Sequence, residues 1–141
     1  GPASRDDVAS YTGLRKTDLA PVLARLRLRV FRSTAGVELL DVPRGELPDP
    51  RTPAPVRFLP TWDATLLAHA RRAGILPEEH RSKIFHTRNP HSLPTFLVDG
   101  AVAGTWRHEQ GRIELAPFGS LDAATLRDLR EEAQRLAAFH A

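Results

Sequence analysis

The chain of 141 residues contains no cysteine, no methionine and no long hydrophobic run. The lack of cysteine excludes disulfides, thiolate metal sites and cysteine nucleophiles together. Because a translated reading frame begins with methionine, we expect a chain that starts Gly1-Pro2-Ala3 to be part of a longer protein or to carry foreign residues at its start. With no apolar stretch long enough to cross a bilayer and no signal-peptide pattern, we expect no membrane partner and a cytoplasmic location, at most in association with a bacterial nucleoid.

The net charge of the chain, +3, is unevenly distributed. Residues 1–60 hold ten basic and seven acidic residues, whereas residues 61–141 hold ten of each. Within residues 15–32, six basic residues accompany the single acidic Asp18, so this segment alone has a net charge of +5. The pattern predicts a local anion-binding surface on an otherwise ordinary protein, whose length allows one domain or two small ones.

Residues 94–117, PTFLVDGAVAGTWRHEQGRIELAP, predict a three-stranded antiparallel meander. Its two tight turns are Asp99-Gly100 and Gln110-Gly111. The alternation of side chains along the middle strand places Arg107 outward and Trp106 inward. We expect Trp106 to be largely buried under the final helix, with Leu126, Leu129 and Leu136 as its neighbours. Because a glycine inside a strand is typical of a bulge or a close backbone approach, Gly104 predicts a strongly curved sheet that closes into a small barrel.

The first 42 residues predict two short helices and a hairpin. Ser4 begins the first helix as its N-cap, and Gly13 ends it. Pro21 limits where the second helix begins: with Asp18 as the N-cap, Pro21 stands at the third helical position and costs nothing, whereas an earlier start loses a backbone hydrogen bond. The strands of the hairpin are residues 28–32 and 37–42. This order is typical of a winged helix, with the hairpin as the wing.

Five prolines between residues 43 and 55 predict a stiff extended connector, where we place the domain boundary. The predicted fold class is therefore α+β: a winged helix-turn-helix unit at 1–42, the connector at 43–55, and a small antiparallel β-barrel-like domain with flanking helices at 56–141. Besides the meander, the last domain is expected to contain a strand at 56–59, a helix from about 62 to 73, a short helix from Pro77 through Phe85, a loop at 86–93 and a final helix capped by Ser120.

Motifs that would carry chemistry are missing from the sequence. The chain has six histidines, a residue type that often binds metal ions. There is, however, no HExxH motif and no histidine pair at helical spacing with a carboxylate. There is also no GxSxG elbow, no GxxxxGK[ST] and no GxGxxG after a strand. Asp63 stands at a predicted helix start, where we interpret it as a cap. We therefore predict no catalytic residue, no metal site and no cofactor in this chain.

Basic residues fall where a winged helix holds DNA phosphates: at both ends of the second helix and on the wing. The predicted DNA-binding residues of this unit are Arg15, Lys16, Arg25, Arg27, Arg29 and Arg32. Arg107, outward on the middle strand of the meander, is predicted either to face the DNA as well or to be an ordinary solvated strand residue. Residues 81–91 form a second cationic stretch that either touches the same nucleic acid or is an exposed loop. Because Ala20, Pro21 and Ala24 cannot read base edges, we expect recognition of the phosphate backbone and shape of double-stranded DNA.

Three stretches of the chain resemble the winged-helix DNA glycosylase family that unhooks interstrand crosslinks and removes alkylated bases. They are GPASRDDVASYTGL at the start, FLPTWDATLL after the connector, and PTFLVDGAVAGTW followed by IELAPF and a final helix. The resemblance implies a C-shaped protein of tandem winged helices and a small β-barrel, which binds DNA in its concave channel. This chain then corresponds to the last winged helix plus the barrel, with duplex DNA and the parent's N-terminal winged-helix domains as partners.

The same resemblance implies that the catalytic motif lies elsewhere. In the family this motif, a glutamine, an apolar residue and then a glutamine or aspartate, belongs to the N-terminal part, and neither Gln110-Gly111-Arg112 nor Gln134-Arg135-Leu136 matches it. We expect this chain to bind DNA without chemistry of its own, within a parent that is a DNA glycosylase. Two alternatives stay open: a non-enzymatic winged-helix regulator or architectural protein, and a protein-interaction module whose winged helix packs against a sister domain.

Overall fold

A computed structural model describes residues 2–70, 73–86 and 91–139, and it divides the chain into two units. The first unit is Gly1–Thr52 with Leu67–Arg71, and the second is Pro53–Leu66 with Arg72–Ala141. The division falls inside the proline-rich segment 43–55, whereas the grouping of residues 67–71 with the first unit has no counterpart in the sequence analysis. In the described part of the chain, no helix has the length and hydropathy needed to span a membrane.

Two helices and a hairpin form the first unit, in the predicted order. They are α1 (Arg5–Thr12), α2 (Lys16–Arg25), β1 (Arg29–Arg32) and β2 (Glu38–Asp41). Ser4 caps α1, since its hydroxyl accepts the Asp7 N–H at 3.1 Å, and Gly13 ends the helix with φ 71°. The two strands pair antiparallel, and Ala3 forms an additional bridge to Leu40 of β2.

The start of α2 is earlier than an Asp18 cap would place it. The helix begins at Lys16 with Arg15 at the N-cap position, so Asp18 is not its cap. Asp18 lies instead in the first helical turn, where the helix dipole stabilises a carboxylate, and accepts hydrogen bonds from Arg15. Pro21 is consequently inside the helix, where its missing N–H costs a backbone hydrogen bond.

The first unit leaves much of its apolar surface uncovered. Among its described residues, Leu19 and Leu40 are the buried hydrophobic ones. The large apolar side chains that are between 47% and 75% exposed are Tyr11, Leu14, Val22, Leu26, Val30, Val37, Val42 and Leu47. Extensive exposed apolar surface on so small a unit is typical of an interaction surface.

The second unit is built on a four-stranded antiparallel sheet in the order β3-β6-β7-β8. The strands are β3 (Arg57–Leu59), β6 (Thr95–Val98), β7 (Ala101–Glu109) and β8 (Arg112–Pro117). The turns Asp99-Gly100 and Gln110-Gly111 have positive φ at both positions, which confirms the predicted meander. Within the described ranges β3 and β8 do not pair with each other, so the sheet is open and the predicted barrel closure is wrong.

The predicted irregularity at Gly104 is confirmed. The register between β6 and β7 shifts by one residue, with Phe96 opposite Gly104 and Leu97 opposite Val102. A Cβ atom on Gly104 would overlap the Phe96 ring and lie 2.6 Å from the carbonyl oxygen of Ala116. The glycine therefore lets the fully buried Phe96 pack directly against the backbone of β7.

The final helix, α5 (Ala123–Phe139), packs against both edge strands, so a helix covers the sheet in place of further strands. Its cap is Asp122 and not the predicted Ser120, since the Asp122 carboxylate accepts the N–H of Thr125 at 2.8 Å and the Thr125 hydroxyl at 3.0 Å. These hydrogen bonds hold the pKa of Asp122 below its usual value. Leu129 anchors the helix and is fully buried.

Trp106 lies on the predicted inner face of β7 but is only partly buried, which is less than predicted. It packs against the cluster that contains Leu129, and its ring meets that of Phe58 edge to face, with centroids 5.7 Å apart. The indole N–H donates to the carbonyl oxygen of Leu59 at 3.0 Å. Arg107, the next residue, is exposed, so the predicted alternation is confirmed.

Between β3 and β6 the chain departs furthest from the predictions. This segment contains α3 (Ala64–Leu67), α4 (Glu78–Ile84), β4 (Phe85–His86) and β5 (His91–Ser92). Asp63 caps α3 as predicted, but the helix ends at Leu67 because the N–H of Ala70 donates to Asp7 at 2.9 Å instead of continuing the helix. Part of the predicted loop at 86–93 is paired as β4 and β5, and residues 87–90 lie outside the described residues.

Candidate nucleic-acid interface

The two predicted phosphate-binding residues at the start of α2 each face a carboxylate. Arg15 donates from Nε to Asp18 Oδ2 at 2.9 Å and from Nη2 to Oδ1 at 3.2 Å. Lys16 forms an ion pair with Asp6 of α1. All four side chains are largely exposed, so solvent and salt screen both pairs. The two cations are accessible to another anion, which would have to compete with Asp18 and Asp6.

Arg25 and Arg27 lie at the other end of α2. Arg25 is in the last turn, where the helix dipole stabilises a cation. Both residues are exposed. Within the described parts of the chain, neither forms an ion pair with a carboxylate. Their charges are therefore available to a bound anion.

Arg29 and Arg32 both lie on β1, but the strand directs them to opposite faces of the hairpin because they are three positions apart. Arg29 is held within the unit. Its Nη2 donates to the carbonyl oxygen of Gly45 at 2.7 Å and lies 3.4 Å from Asp41 Oδ2, and its guanidinium lies 5.4 Å from the Phe31 ring centroid. The side chain is 30% exposed, so Arg29 braces the hairpin more than it offers charge to a ligand.

Arg32 is in a different position, since it is exposed on the other face of the hairpin. The residue opposite it on β2 is Glu38, which pairs with Arg5 at 3.2 Å. In the described structure, the polar contact of the Arg32 guanidinium is to the carbonyl oxygen of Gly36, at 3.4 Å. Arg32 thus joins Arg25 and Arg27 as a cation without a carboxylate partner.

Arg107 of the second unit is exposed but neutralised. Its Nε donates to Glu114 Oε2 at 2.7 Å, and its Nη2 lies 3.1 Å from Glu109 Oε2. The hydrogen bond to Glu114 and the negative charges of Glu109 and Glu114 raise the pKa of Arg107. The sequence contained the signal for this pair, because the two-residue turn at Gln110-Gly111 sets Arg107 opposite Glu114.

Ser4, Asp7 and His69 meet in the first unit, but not in the order of a catalytic triad. The Ser4 hydroxyl donates to Asp7 Oδ2 at 2.8 Å, and Nδ1 of His69 lies 3.4 Å from the same oxygen. The serine hydroxyl therefore donates to the carboxylate, whereas in a triad it would donate to the imidazole that acts as its base. Burial opposes the charge of Asp7, yet hydrogen bonds from Ser4, Ala70 and His69 outweigh it and hold the pKa of Asp7 below its usual value.

Metal-binding side chains do not converge in the part of the chain that the structure describes. Across residues 2–70, 73–86 and 91–139, no group of three or more histidines and carboxylates is positioned to hold a metal ion. His86 and His91 face each other across β4 and β5, and their rings are stacked at 20° with centroids 6.4 Å apart. Histidines that bind one metal ion point their ring nitrogens at a common centre, whereas these two rings lie nearly parallel to each other.

Trp62 is a candidate that the sequence analysis missed. It has a φ of 58°, in the left-handed region, and it is 50% exposed. Its ring packs on Phe85 with centroids 6.4 Å apart, and the guanidinium of Arg81 lies 5.3 Å from the Phe85 centroid. No local sequence signal predicts this backbone conformation at a tryptophan, since the left-handed region favours glycine, asparagine and aspartate.

Comparison with known proteins identifies relatives of the chain. A sequence model of one family, described as "DNA glycosylase AlkZ-like", matches residues 1–139. The solved structure of Streptomyces sahachiroi DNA glycosylase AlkZ is similar with a TM-score of 0.80 and 19% sequence identity, over 97% of this chain and 38% of that chain. A search of curated protein sequences found no match.

These comparisons differ in what they establish. At 19% identity, the structural likeness to AlkZ shows a shared fold, and the chain spans 38% of the length of that protein. The family match extends over residues 1–139 and includes both units described above. The chain therefore belongs to the AlkZ-like DNA glycosylase family.

Proposed function

We propose that this chain is the DNA-binding C-terminal portion of a DNA glycosylase-like repair protein. In this proposal α1, α2 and the β1–β2 hairpin are the last winged helix of the parent, and the second unit is its β domain. The observation that carries the proposal is a set of exposed arginines without carboxylate partners in the described structure, within the segment of net charge +5: Arg25, Arg27 and Arg32.

The proposed contact is with phosphates and not with bases. A guanidinium can donate two parallel hydrogen bonds to phosphate oxygens, and each phosphate it neutralises releases counterions. Ala20, Pro21 and Ala24 are exposed on α2, but their side chains have no hydrogen-bond donors or acceptors with which to distinguish base pairs. We therefore propose recognition of the backbone and shape of duplex DNA, with little preference for sequence.

We assign the chemistry to the remainder of the parent protein. Gln110 lies in the turn between β7 and β8, Gln134 lies in α5, and neither is followed two positions later by glutamine or aspartate. The Ser4 hydroxyl donates its hydrogen bond to Asp7 and not to the imidazole of His69, so this group lacks an activated nucleophile. In this proposal the present chain holds the duplex, while the N-terminal domains position a water molecule at the anomeric carbon of a damaged nucleotide.

Binding to labelled DNA duplexes at several salt concentrations tests the proposal. We expect the triple variant Arg25→Ala/Arg27→Ala/Arg32→Ala to bind all duplex sequences more weakly. The slope of log K against log salt should flatten by about 0.9 for each phosphate that the variant no longer neutralises. Arg135→Ala is the matched control, because Arg135 is an exposed arginine paired with Glu132 on α5. The control should leave both affinity and slope unchanged.

Other results of these experiments would favour other functions. A strong preference in a selection from random duplexes would support a winged-helix regulator, because shape recognition alone is weakly selective. Binding with no salt dependence would show that the basic residues do not contact DNA phosphates. In the sequence of the parent, a Gln-x-Gln or Gln-x-Asp motif upstream of this chain would support the glycosylase, and an unrelated ligand-sensing domain would support the regulator.

The exposed apolar surface of the first unit favours a second candidate function, a protein-interaction module. Tyr11, Leu26 and Val30 are 75%, 52% and 60% exposed, and an apolar patch built from such side chains is typical of a protein–protein contact. The proposed partner is the adjacent winged-helix domain of the same parent. Hydrogen exchange tests this, since amides of α1 and α2 should exchange more slowly in the parent protein than in this chain alone. Equal exchange rates would argue against the interaction.

A further inference from the structure

An exposed, conformationally strained tryptophan marks a second candidate contact in the second unit. Trp62 is held with φ 58°, a conformation that is unusual for a bulky side chain and that persists only where neighbouring contacts enforce it. Strain of this kind is often associated with function. The strain does not bury the ring, because half of Trp62 is accessible to solvent. The need for a core contact therefore does not account for it.

Contacts on both sides fix the loop that carries Trp62. Its N–H lies 3.4 Å from the hydroxyl of Ser92, a residue that is almost fully buried. The next residue, Asp63, caps α3 by accepting the N–H of Thr65 at 2.7 Å. The Trp62 ring rests on Phe85 at an angle of 40°. The indole is therefore preorganised at the surface, which lowers the entropy cost when it binds a planar ligand.

A cation lies beside this aromatic pair. The guanidinium of Arg81 lies over Phe85, at 5.3 Å from its centroid, so Arg81, Phe85 and Trp62 follow one another in contact. Lys83, on the same helix, lies with its ammonium group 4.7 Å from the ring centroid of Phe118. In the described part of the chain neither cation is paired with a carboxylate. An exposed aromatic face beside available positive charge is typical of surfaces that bind unstacked nucleotides.

We propose that Trp62 stacks on an unpaired DNA base while Arg81 contacts a flanking phosphate. This inference rests on the proposed DNA-binding function and adds a preference to it. Bases inside a duplex are covered on both faces by their neighbours, so a surface indole reaches a base face only where the base has left the stack. The chain should therefore prefer single-stranded DNA, or a duplex with a bulged base, at this surface.

Tryptophan fluorescence provides a direct test, because the chain has two tryptophans. In Trp106→Phe the remaining signal comes from Trp62 alone. Stacking should quench this signal and protect it from acrylamide when oligo-dT or a duplex with one bulged thymine is added, and a fully paired duplex should have a smaller effect. Because Trp106 belongs to the core, the difference in quenching between the wild type and Trp62→Phe provides the same measurement without altering Trp106.

Affinity measurements complete the test. We expect Trp62→Ala to weaken binding to the bulged duplex by roughly tenfold, with little change for the paired duplex, and Trp62→Phe to retain most of the affinity. Phe139→Ala is the control, because Phe139 is an aromatic residue that is 85% exposed on α5, and its removal should change neither affinity.

The possible results separate this inference from the proposed function. If the chain binds DNA but the Trp62 signal and the bulge preference do not change, stacking is wrong and DNA binding by the first unit stands. If Trp62→Ala weakens both duplexes equally, or lowers the melting temperature of the protein to the same extent as its affinity, Trp62 has a structural role and the inference is also wrong. Failure to bind any DNA would overturn both.

Discussion

Arg29 and Asp41 face each other across the β1–β2 hairpin, and the same arginine reaches the carbonyl oxygen of Gly45, 2.7 Å away. These contacts tie the hairpin to the start of the proline-rich connector. Arg32, on the same strand, points to the other face and has no carboxylate partner in the described structure. The pleat therefore separates a bracing arginine from one that is available to a ligand, although both contribute equally to the net charge.

The two arginines should respond differently to substitution. We expect Arg29→Ala to lower the free energy of unfolding by about 1–3 kcal/mol, because the Gly45 carbonyl and the Asp41 carboxylate lose a donor. Arg32→Ala should change the free energy of unfolding by less than about 0.5 kcal/mol. It should, however, flatten the slope of log K against log salt for duplex binding by about 0.9. Urea titration and fluorescence anisotropy measure the two effects. Equal effects of the variants on both measurements would contradict the separation.

Gly104 should not tolerate a methyl group. We expect Gly104→Ala to destabilise the protein by about 1–3 kcal/mol, because the added Cβ would overlap the Phe96 ring and approach the Ala116 carbonyl. Gly119→Ala is the matched control, since a Cβ at that position meets nothing within 4 Å. Midpoints of urea denaturation measure the difference. Similar midpoints for the two variants would show that β7 relaxes around the extra atom.

Features that depend on neighbouring residues were predictable from the sequence. Asp99-Gly100 and Gln110-Gly111 specify their turns because few other residue pairs accept positive φ at both positions. Once the turns are set, the alternation along β7 follows, and with it the outward position of Arg107 and the inward position of Trp106. The bulge at Gly104 was predictable for the same reason, because a glycine in a strand leaves space for another group.

Features that depend on distant residues were not predictable. The helical pattern after Trp62 continues to about residue 73, but α3 ends at Leu67 because Ala70 donates its N–H to Asp7, which is 63 positions earlier. The sheet is open because α5 covers it, a result that strand propensities do not contain. Positive charges could be read from the sequence, but the pairing of Lys16 with Asp6 of the preceding helix is known only from the structure.

The contacts of Asp7 predict an effect of pH on stability. Hydrogen bonds hold the pKa of folded Asp7 below its unfolded value, which is about 3.9. The folded state therefore releases this proton more readily, and the resulting stabilisation is complete above the unfolded pKa. It disappears as the pH falls from that value through the folded pKa. We expect Asp7→Asn to be about 1–3 kcal/mol less stable than the wild type near neutral pH, because an amide satisfies fewer of these donors.

Urea titrations from about pH 7 to about pH 3 check this prediction. The difference in unfolding free energy between the wild type and Asp7→Asn should decrease below about pH 4, as the Asp7 carboxylate becomes protonated. Asp6→Asn is the control, because Asp6 is exposed and pairs with Lys16 at the surface. A difference that stays constant down to the lowest pH would mean that the charge of Asp7 makes no contribution through these contacts.

Two glutamates offset the charge of Arg107. Because Glu109 and Glu114 already hold the guanidinium, Arg107→Ala should weaken duplex binding less than Arg32→Ala does. Replacing Glu114 with glutamine should free part of this charge. If Arg107 contacts DNA, Glu114→Gln will strengthen binding at low salt, and the gain will disappear when Arg107→Ala is combined with it. If the gain is the same with and without Arg107, it reflects only the removal of a negative charge, and Arg107 is an ordinary exposed strand residue that pairs with its cross-strand neighbour.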